Sequence, residues 1–272
     1  GLGYGIYTTK GTDGKPYIVK QAVFFDFGVG IRNVQVAGAT ILFNTFLLGK
    51  VPYIYVPIID IGEPGEPIDT LKPPNQYGVV FESAVAGFTC QENLFMNKYL
   101  SEELKTVGVC CDNTGKANKT LRKNTYKNLS YGNVVNYLNA EEAGGIPRGL
   151  YFDCNLNFNV LEKDFAVSLG GEIRSKQGLE ISSNNVITYN AAGNRFSYTG
   201  LDFSNLGSPI DYYFDPFGIN EEPITIEGIL NKTIAQGNFC ETNYCEPPCK
   251  SNDEIATVKN SYLQKRKEFQ NI

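Results

Sequence analysis

The sequence predicts an all-β chain folded as a right-handed parallel β-helix that ends in a short C-terminal helix. Two short signatures recur along the chain in a fixed order, with a corner of small residues between them in the better copies. Such self-similarity indicates a repeat architecture, and short strands between Gly, Asn and Ala corners favour a β-helix. An antiparallel sandwich with Asn/Gly hairpins is the alternative. It would explain the alternation of apolar and polar residues, but not the recurrent order.

The first signature is an asparagine two residues before an aromatic side chain. It occurs at Asn44, Asn93, Asn124 and Asn194, and Asn155 heads a looser relative. Asparagines at a shared corner of stacked coils can form a hydrogen-bonded ladder along the stack. We therefore predict that Asn44, Asn93, Asn124 and Asn194 are structural residues at equivalent corners.

The second signature is a glycine followed by an aliphatic residue. It recurs as Gly30-Ile31, Gly78-Val79, Gly108-Val109 and Gly149-Leu150, and also at the start of the chain as Gly5-Ile6. Glycine adopts positive φ where a side chain would clash. The sequence thus predicts structural roles for four glycines, Gly30, Gly78, Gly108 and Gly149.

The chain divides into a long repeat domain and a short tail. The β-helix is predicted over 1–235, with an insertion loop over 47–72 because Pro and Gly are too dense there for a central strand. A Cys/Pro linker follows over 236–252. A helix is predicted over 253–272, with one apolar face formed by Ile255, Val258, Tyr262 and Phe269. The first residues already match a coil, so we expect the chain to continue beyond both ends.

Composition excludes several classes of function. Charged residues make up 19% of the chain and the net charge is -5, so no nucleic-acid partner is expected. The absence of histidine removes Ser-His-Asp and Cys-His catalysis and any His-containing metal site. No run of 18 apolar residues occurs, so no membrane span is predicted.

Acidic residues provide the candidates for catalysis and for a metal ion. Three adjacent pairs, Glu102-Glu103, Glu141-Glu142 and Glu221-Glu222, lie in predicted loops or termini. Neighbouring strand residues would point to opposite faces, so no catalytic residue is assigned. The insertion carries calcium candidates at Asp60, Glu63, Glu66 and Asp69, whose spacing matches no defined calcium loop. A solvated acidic loop is the alternative there, and no other cofactor is predicted.

Seven cysteines divide into two groups. Cys90, Cys110, Cys111 and Cys154 lie in strand-like runs, which is typical of small buried apolar residues. Cys240, Cys245 and Cys249 lie among Asn, Glu and Pro. We predict a disulfide between Cys240 and Cys245, or failing that between Cys240 and Cys249, because the short Cys240–Cys245 loop suits a disulfide. A zinc site is the alternative, but it lacks an obvious fourth ligand.

Several segments of the repeat resemble a known group of proteins. These segments are Gly149-Leu150-Tyr151, Cys154-Asn155, Ile173-Arg174 with Gln177-Gly178, residues 190–197 and residues 210–214. Over residues 1–218 they resemble the C-terminal β-helix region of very large Bacteroidota surface proteins. Those proteins are similar to adhesin-like substrates of the type IX secretion system, some of them linked to gliding motility. The insertion over 47–72 departs from that pattern.

The resemblance implies a non-enzymatic structural or adhesive segment of an exported protein, located at the cell surface or outside the cell. Its expected partners are other segments of the same large protein, the export machinery, and cell-surface or polysaccharide ligands. The alternative is a polysaccharide lyase or hydrolase, or a carbohydrate-binding β-helix. Tyrosines such as Tyr53, Tyr55 and Tyr213 could stack on sugar rings, because tyrosine has an apolar face and a polar tip. Packing in the core or on the surface is the alternative role.

Overall fold

The computed structural model describes residues 3–9, 16–36, 38–49, 75–99, 104–143, 146–183, 186–235, 237 and 240. Within these residues the chain forms 22 strands and no helix, so the all-β prediction is confirmed for this part of the chain. No described segment is a helix that is long and apolar enough to cross a membrane. The predicted helix over 253–272 and nearly all of the predicted linker over 236–252 lie outside the described residues.

The first twelve strands form four repeats of three strands each, which we call rungs. Rung 1 is β1 (Tyr4–Thr9), β2 (Ile18–Lys20) and β3 (Val23–Phe25); rung 2 is β4 (Val29–Val34), β5 (Ala39–Leu42) and β6 (Thr45–Leu48). Rung 3 is β7 (Gln76–Glu82), β8 (Phe88–Gln91) and β9 (Leu94–Asn97); rung 4 is β10 (Thr106–Asp112), β11 (Lys119–Arg122) and β12 (Thr125–Lys127).

The remaining rungs carry extra strands. Rung 5 is β13 (Tyr131–Asn136), β14 (Ala140–Ala143), β15 (Ile146–Asp153) and β16 (Leu156–Phe158). Rung 6 is β17 (Lys163–Val167), β18 (Lys176–Gln177), β19 (Leu179–Ser183) and β20 (Val186–Asn190). Rung 7 contains β21 (Leu201–Phe214), and β22 (Ile226–Ile234) is the last strand.

Strands of the same kind from successive rungs pair in parallel and build three sheets. Sheet A runs β1-β4-β7-β10-β13-β17-β21, with β22 pairing to β21. Sheet B includes β2-β5-β8-β11-β15, and sheet C consists of β3-β6-β9-β12-β16. Among the strands that the structure describes, antiparallel pairing is confined to the β14–β15 and β19–β20 hairpins. The alternative of an antiparallel sandwich is therefore wrong.

The core lies between the three sheets, where side chains in register stack from rung to rung. Ile31, Val79 and Val109 are register partners in sheet A and are fully buried. In sheet C, the rings of Phe24, Phe46, Phe95 and Tyr126 form a continuous stack with centroid distances of 4.7, 4.7 and 5.3 Å. Aromatic pairs of this kind stabilise a core beyond the area they bury.

The predicted start of the insertion at residue 47 is wrong. Leu47 and Leu48, which fall inside the predicted 47–72 segment, belong to β6 and are almost fully buried. Residues 50–74 lie outside the described residues. The chain re-enters the described part at Asn75, and β7 pairs with β4 of the preceding rung. The repeat therefore has the same register on both sides of the insertion.

Candidate functional site

An uninterrupted column of buried asparagines occupies the corner between sheets B and C. It contains the four predicted residues and one more, in the order Asn44, Asn93, Asn124, Asn155 and Asn194, all without exposed surface. Each of the first four donates both its backbone N and its side-chain Nδ2 to Oδ1 of the next asparagine. These eight distances lie between 2.9 and 3.3 Å. The structure thus brings all four predicted asparagines together in one ladder.

The ladder depends on the residue that precedes each asparagine. Phe43, Glu92, Lys123 and Cys154 all have positive φ, between 50° and 56°, and Gly193 has φ of 65°. Positive φ is unfavourable for residues with a Cβ, and each costs ~1 kcal/mol or more. The hydrogen bonds of the following asparagine offset this cost, because its Nδ2 also reaches a backbone carbonyl in an earlier rung. Those carbonyls belong to Val19, Ile41, Cys90, Leu121 and Phe152.

The recurrent glycines of sheet A make room for the aromatic stack of sheet C. A Cβ added to Gly30 would lie 2.7 Å from Cδ1 of Phe46, and one added to Gly108 would lie 2.5 Å from Cδ1 of Tyr126. Such distances are too short for carbon atoms in contact, and packed interiors have no spare space to relieve them. In each of these rungs, a glycine of sheet A therefore lies against an aromatic ring of sheet C.

The prediction that these glycines are needed for their positive φ is wrong for three of the four. Gly30, Gly78 and Gly108 do not have positive φ; their missing side chain is required by the close approach of a ring. Gly149 is different, because it has φ of 122° and lies in sheet B, where a Cβ would meet the backbone of Ala140 at 2.5 Å. Only Gly149 therefore has the positive φ that the sequence pattern suggested for all four.

The predicted disulfide partner of Cys240 is wrong. Cys240 is bonded to Cys154, with a Cα–Cα distance of 5.5 Å and a separation of 86 residues in sequence. Cys154 lies in the corner next to the asparagine ladder and is buried. Because a sulfur atom forms one such bond, Cys240 pairs with neither Cys245 nor Cys249, which lie outside the described residues. The interpretation of Cys154 as a simple buried apolar residue is corrected too, whereas Cys90, Cys110 and Cys111 are buried free thiols.

Two buried carboxyl groups lie on adjacent rungs, at the register position that Gly108 and Gly132 occupy in rungs 4 and 5. Asp164 and Asp202 follow register partners in β17 and β21, and neither residue has exposed surface. Asp164 accepts from the backbone N of Ser197 at 2.7 Å and contacts its Oγ at 2.8 Å. Burial raises the pKa of Asp164 to about 8, and the nearby Asp202 adds to the rise. Asp202 accepts from two backbone N–H groups of the next rung, and burial raises its pKa.

Neither carboxyl group is arranged for chemistry on a substrate. A general acid must lie within hydrogen-bond reach of the reacting atom. Asp164 and Asp202 are fully covered, and Oδ2 of each accepts from backbone amides, while Oδ1 of Asp164 contacts the hydroxyl of Ser197. Burial and hydrogen bonds within the chain indicate that both are structural groups.

The calcium candidates Asp60, Glu63, Glu66 and Asp69 lie outside the described residues. Comparisons of the chain with protein families, with curated proteins and with solved structures find no match.

Three details of the site go beyond what the sequence pattern predicts. Asn155 is a full member of the ladder, although its aromatic residue is displaced by one position: Asn157 aligns with Tyr126, so Phe158 faces outward. Cys154 and Cys240 share no local motif. Tyr213 stacks on Tyr189 at 5.0 Å, while Tyr53 and Tyr55 lie outside the described residues.

Proposed function

We propose that this chain is a non-enzymatic structural or adhesive segment of an exported bacterial surface protein. The asparagine ladder carries the proposal, because it ties five successive rungs into one continuous hydrogen-bonded column. Polar side chains in this corner are used to hold the stack together and are not directed at a ligand. A stack built of near-neighbour contacts makes an extended, stiff support for surfaces that face outward.

The disulfide supports export. Disulfides persist in oxidising compartments and are rare in the cytosol of most organisms. The Cys154–Cys240 bond closes a long stretch of chain and lies in the same corner as the ladder. The resemblance of the repeat to Bacteroidota surface proteins exported by the type IX system favours the same location.

We assign the stack of rungs to the right-handed parallel β-helix. Parallel strands in one sheet need crossover connections, and crossovers between parallel strands are right-handed in nearly all proteins. The fixed succession of sheets A, B and C through rungs 1 to 4 is the order expected of such a coil.

A polysaccharide-active enzyme is the competing function. It is favoured by one observation, the two carboxyl groups of Asp164 and Asp202 on adjacent rungs, because glycoside hydrolysis uses a pair of carboxyl groups. Their complete burial and their bonds to backbone amides argue against it.

Incubation with pectin, alginate and neutral glycans, followed by measurement of new unsaturated or reducing ends, separates the two functions. We expect no turnover above a heat-treated sample. Turnover that disappears in Asp164→Asn, while Glu222→Gln keeps it, would establish the enzyme and overturn our proposal. Glu222 is the matched control because it is an exposed carboxylate that pairs with Lys232 on the surface.

A further inference from the structure

One edge of the outer face of sheet A carries tyrosine on every second rung. The strand register aligns one residue from each of six successive rungs in a single column, in the order Tyr4, Val29, Tyr77, Val107, Tyr131 and Lys163. Tyr4 is 46% exposed, and Tyr77 and Tyr131 are partly exposed. The valines between them leave room for the rings above and below. We call Tyr4, Tyr77 and Tyr131 the tyrosine column.

Each ring of the tyrosine column is held at its hydroxyl by a different polar side chain. The partners are Arg32 for Tyr4 at 2.8 Å, Asn75 for Tyr77 at 3.2 Å, and Glu162 for Tyr131. Burial, with the Glu162 carboxylate, raises the pKa of Tyr131 to about 12, so its hydroxyl stays a donor. Side chains that are already fixed lose little conformational entropy when a ligand binds.

The spacing of the column fits a polymer with a two-residue repeat. Adjacent strands of a sheet lie ~4.8 Å apart, so tyrosines on alternate rungs are ~9.6 Å apart along the stack. In an extended β-1,4-linked glycan, each pyranose advances the chain by about one rung and is turned over relative to its neighbour. The same C–H face therefore returns at every second sugar. Such a face packs on an aromatic ring, whose surface is apolar.

The neighbouring columns supply apolar contact and hydrogen-bond acceptors. Beside the tyrosines, Val80, Cys110 and Val134 are register partners in rungs 3 to 5; the two valines are partly exposed and Cys110 is 7% exposed. Beyond these residues, Glu82 and Asp112 are register partners on adjacent rungs, and Glu82 is ion-paired with Arg32 at 2.7 Å. Burial, and then the charge of Glu82, raises the pKa of Asp112. Carboxylates beside the tyrosine column accept hydrogen bonds from sugar hydroxyls and repel uronic acids.

We propose that the outer face of sheet A binds one chain of an extended, neutral β-1,4-linked polysaccharide, lying along the stack with every second sugar over a ring of the tyrosine column. The proposal rests on the adhesive part of the proposed function and names its ligand. The periodicity of the rings selects the linkage, and the charge of Asp112 selects a neutral chain. A uronan would place its carboxylates against Glu82 and Asp112.

The test is retention of the purified chain on insoluble neutral β-1,4-glycans, with cellulose and mannan as probes and with alginate and polygalacturonate gels as acidic counterparts. We expect retention on a neutral glycan and a loss of affinity of about tenfold in Tyr4→Ala and more in Tyr4→Ala/Tyr77→Ala, since buried aromatic contacts dominate binding. Phe158→Ala is the matched control. Phe158 is a 57% exposed ring in sheet C, and its loss should leave retention within about twofold.

Each outcome decides the matter once circular dichroism shows that the variants are folded. If the double variant does not fold, Tyr4→Ala carries the test, because Tyr4 lies in the first described strand and is largely exposed. Retention that survives loss of the tyrosines, or that prefers the acidic gels, overturns the proposal. Absence of retention on every glycan by a folded wild-type chain also overturns it. The structural part of the proposed function, which is tested by turnover, would then still stand.

Discussion

Asn93 gives two hydrogen bonds to a single atom: its backbone N and its side-chain Nδ2 each lie 3.0 Å from Oδ1 of Asn124. Its own Oδ1 receives the same pair of bonds from Asn44, at 2.9 and 3.0 Å. A further bond joins its Nδ2 to the carbonyl of Ile41 at 2.9 Å. One side chain thereby joins rungs 2, 3 and 4, and bonds in such a chain polarise one another.

Asn93→Ala should strongly destabilise the protein. The change removes the side-chain bonds of Asn93 and leaves buried donors of Asn44, and Oδ1 of Asn124, with fewer partners. Each unsatisfied buried group costs ~1–3 kcal/mol, so we expect a loss of ~3–5 kcal/mol in the free energy of unfolding. Urea unfolding followed by circular dichroism measures it.

Asn231→Ala is the matched control for the ladder. Asn231 is exposed in β22 and should contribute under ~0.5 kcal/mol. Equal effects of the two substitutions would show that the ladder does not hold the rungs together.

Gly78→Ala should be as damaging as the loss of a large core side chain. The new Cβ would lie 2.6 Å from Cε1 of Phe95 and 2.7 Å from the carbonyl oxygen of Gly108. Overpacking of this kind costs ~1–3 kcal/mol and more when backbone must move. Thermal unfolding should show a large fall in Tm, whereas Gly3→Ala, where nothing lies within 4 Å, should be neutral.

A double substitution tests the cause. Phe95→Leu removes the ring but not the backbone contact, so Gly78→Ala/Phe95→Leu should cost less than the sum of its single changes. Strict additivity would show that the glycine is not required by the aromatic ring.

The repeat was predictable because its signals are local. Asn93 and Phe95 lie two residues apart, so their alternation and corner can be read from the sequence alone. The reason for Gly78 could not be read in this way, since the ring that excludes a side chain belongs to the same rung but to another sheet. The close approach of Phe95, and not positive φ, excludes a side chain at Gly78.

The tyrosine column and the disulfide could not be predicted for a related reason. Tyr4, Tyr77 and Tyr131 are unevenly spaced in sequence, because the insertion separates rungs 2 and 3. They align only after the strand register is fixed. Cys154 and Cys240 are 86 residues apart, and a nearby cysteine is the only partner that sequence spacing can suggest.

Loss of the disulfide should destabilise the protein substantially. The bond closes a long loop of the unfolded chain, with its cysteines 86 residues apart in sequence, so Cys240→Ala should cost ~4.5 kcal/mol by the loop-entropy relation. Cys240 is the better position for the change because it is more exposed than Cys154. Treatment of the wild type with a dithiol reductant should lower its Tm to that of Cys240→Ala and should leave the variant unchanged.

Peptide mapping without reduction provides the direct check. It should recover Cys154 joined to Cys240 and the free thiols of Cys90, Cys110 and Cys111. Recovery of Cys240 joined to Cys245 would instead contradict the pairing, and the reductant would then act at another bond.

The pH dependence of stability should depend in part on Asp164. Its pKa is about 8 in the folded protein, against an ordinary value of 3.8. Between these values the folded protein holds a proton that the unfolded chain has released, so this group makes stability fall as pH rises from ~4 to ~8. Below ~4 both states hold the proton, and the contribution is at its maximum.

Asp164→Asn should reproduce the protonated form at every pH. The new Nδ2 can donate to Oγ of Ser197, and Oδ1 can still accept from its backbone N, as the two carboxyl oxygens do at 2.8 and 2.7 Å. We therefore expect the variant to be more stable than the wild type at pH 8, by ~1–3 kcal/mol, and to lose less stability between pH 5 and pH 8. Urea unfolding at a series of pH values measures both quantities.

Glu222→Gln removes the same charge from the surface and should keep the wild-type slope. An unchanged slope in Asp164→Asn would mean that Asp164 is ionised when folded, and its two bonds to Ser197 would then be those of a buried carboxylate.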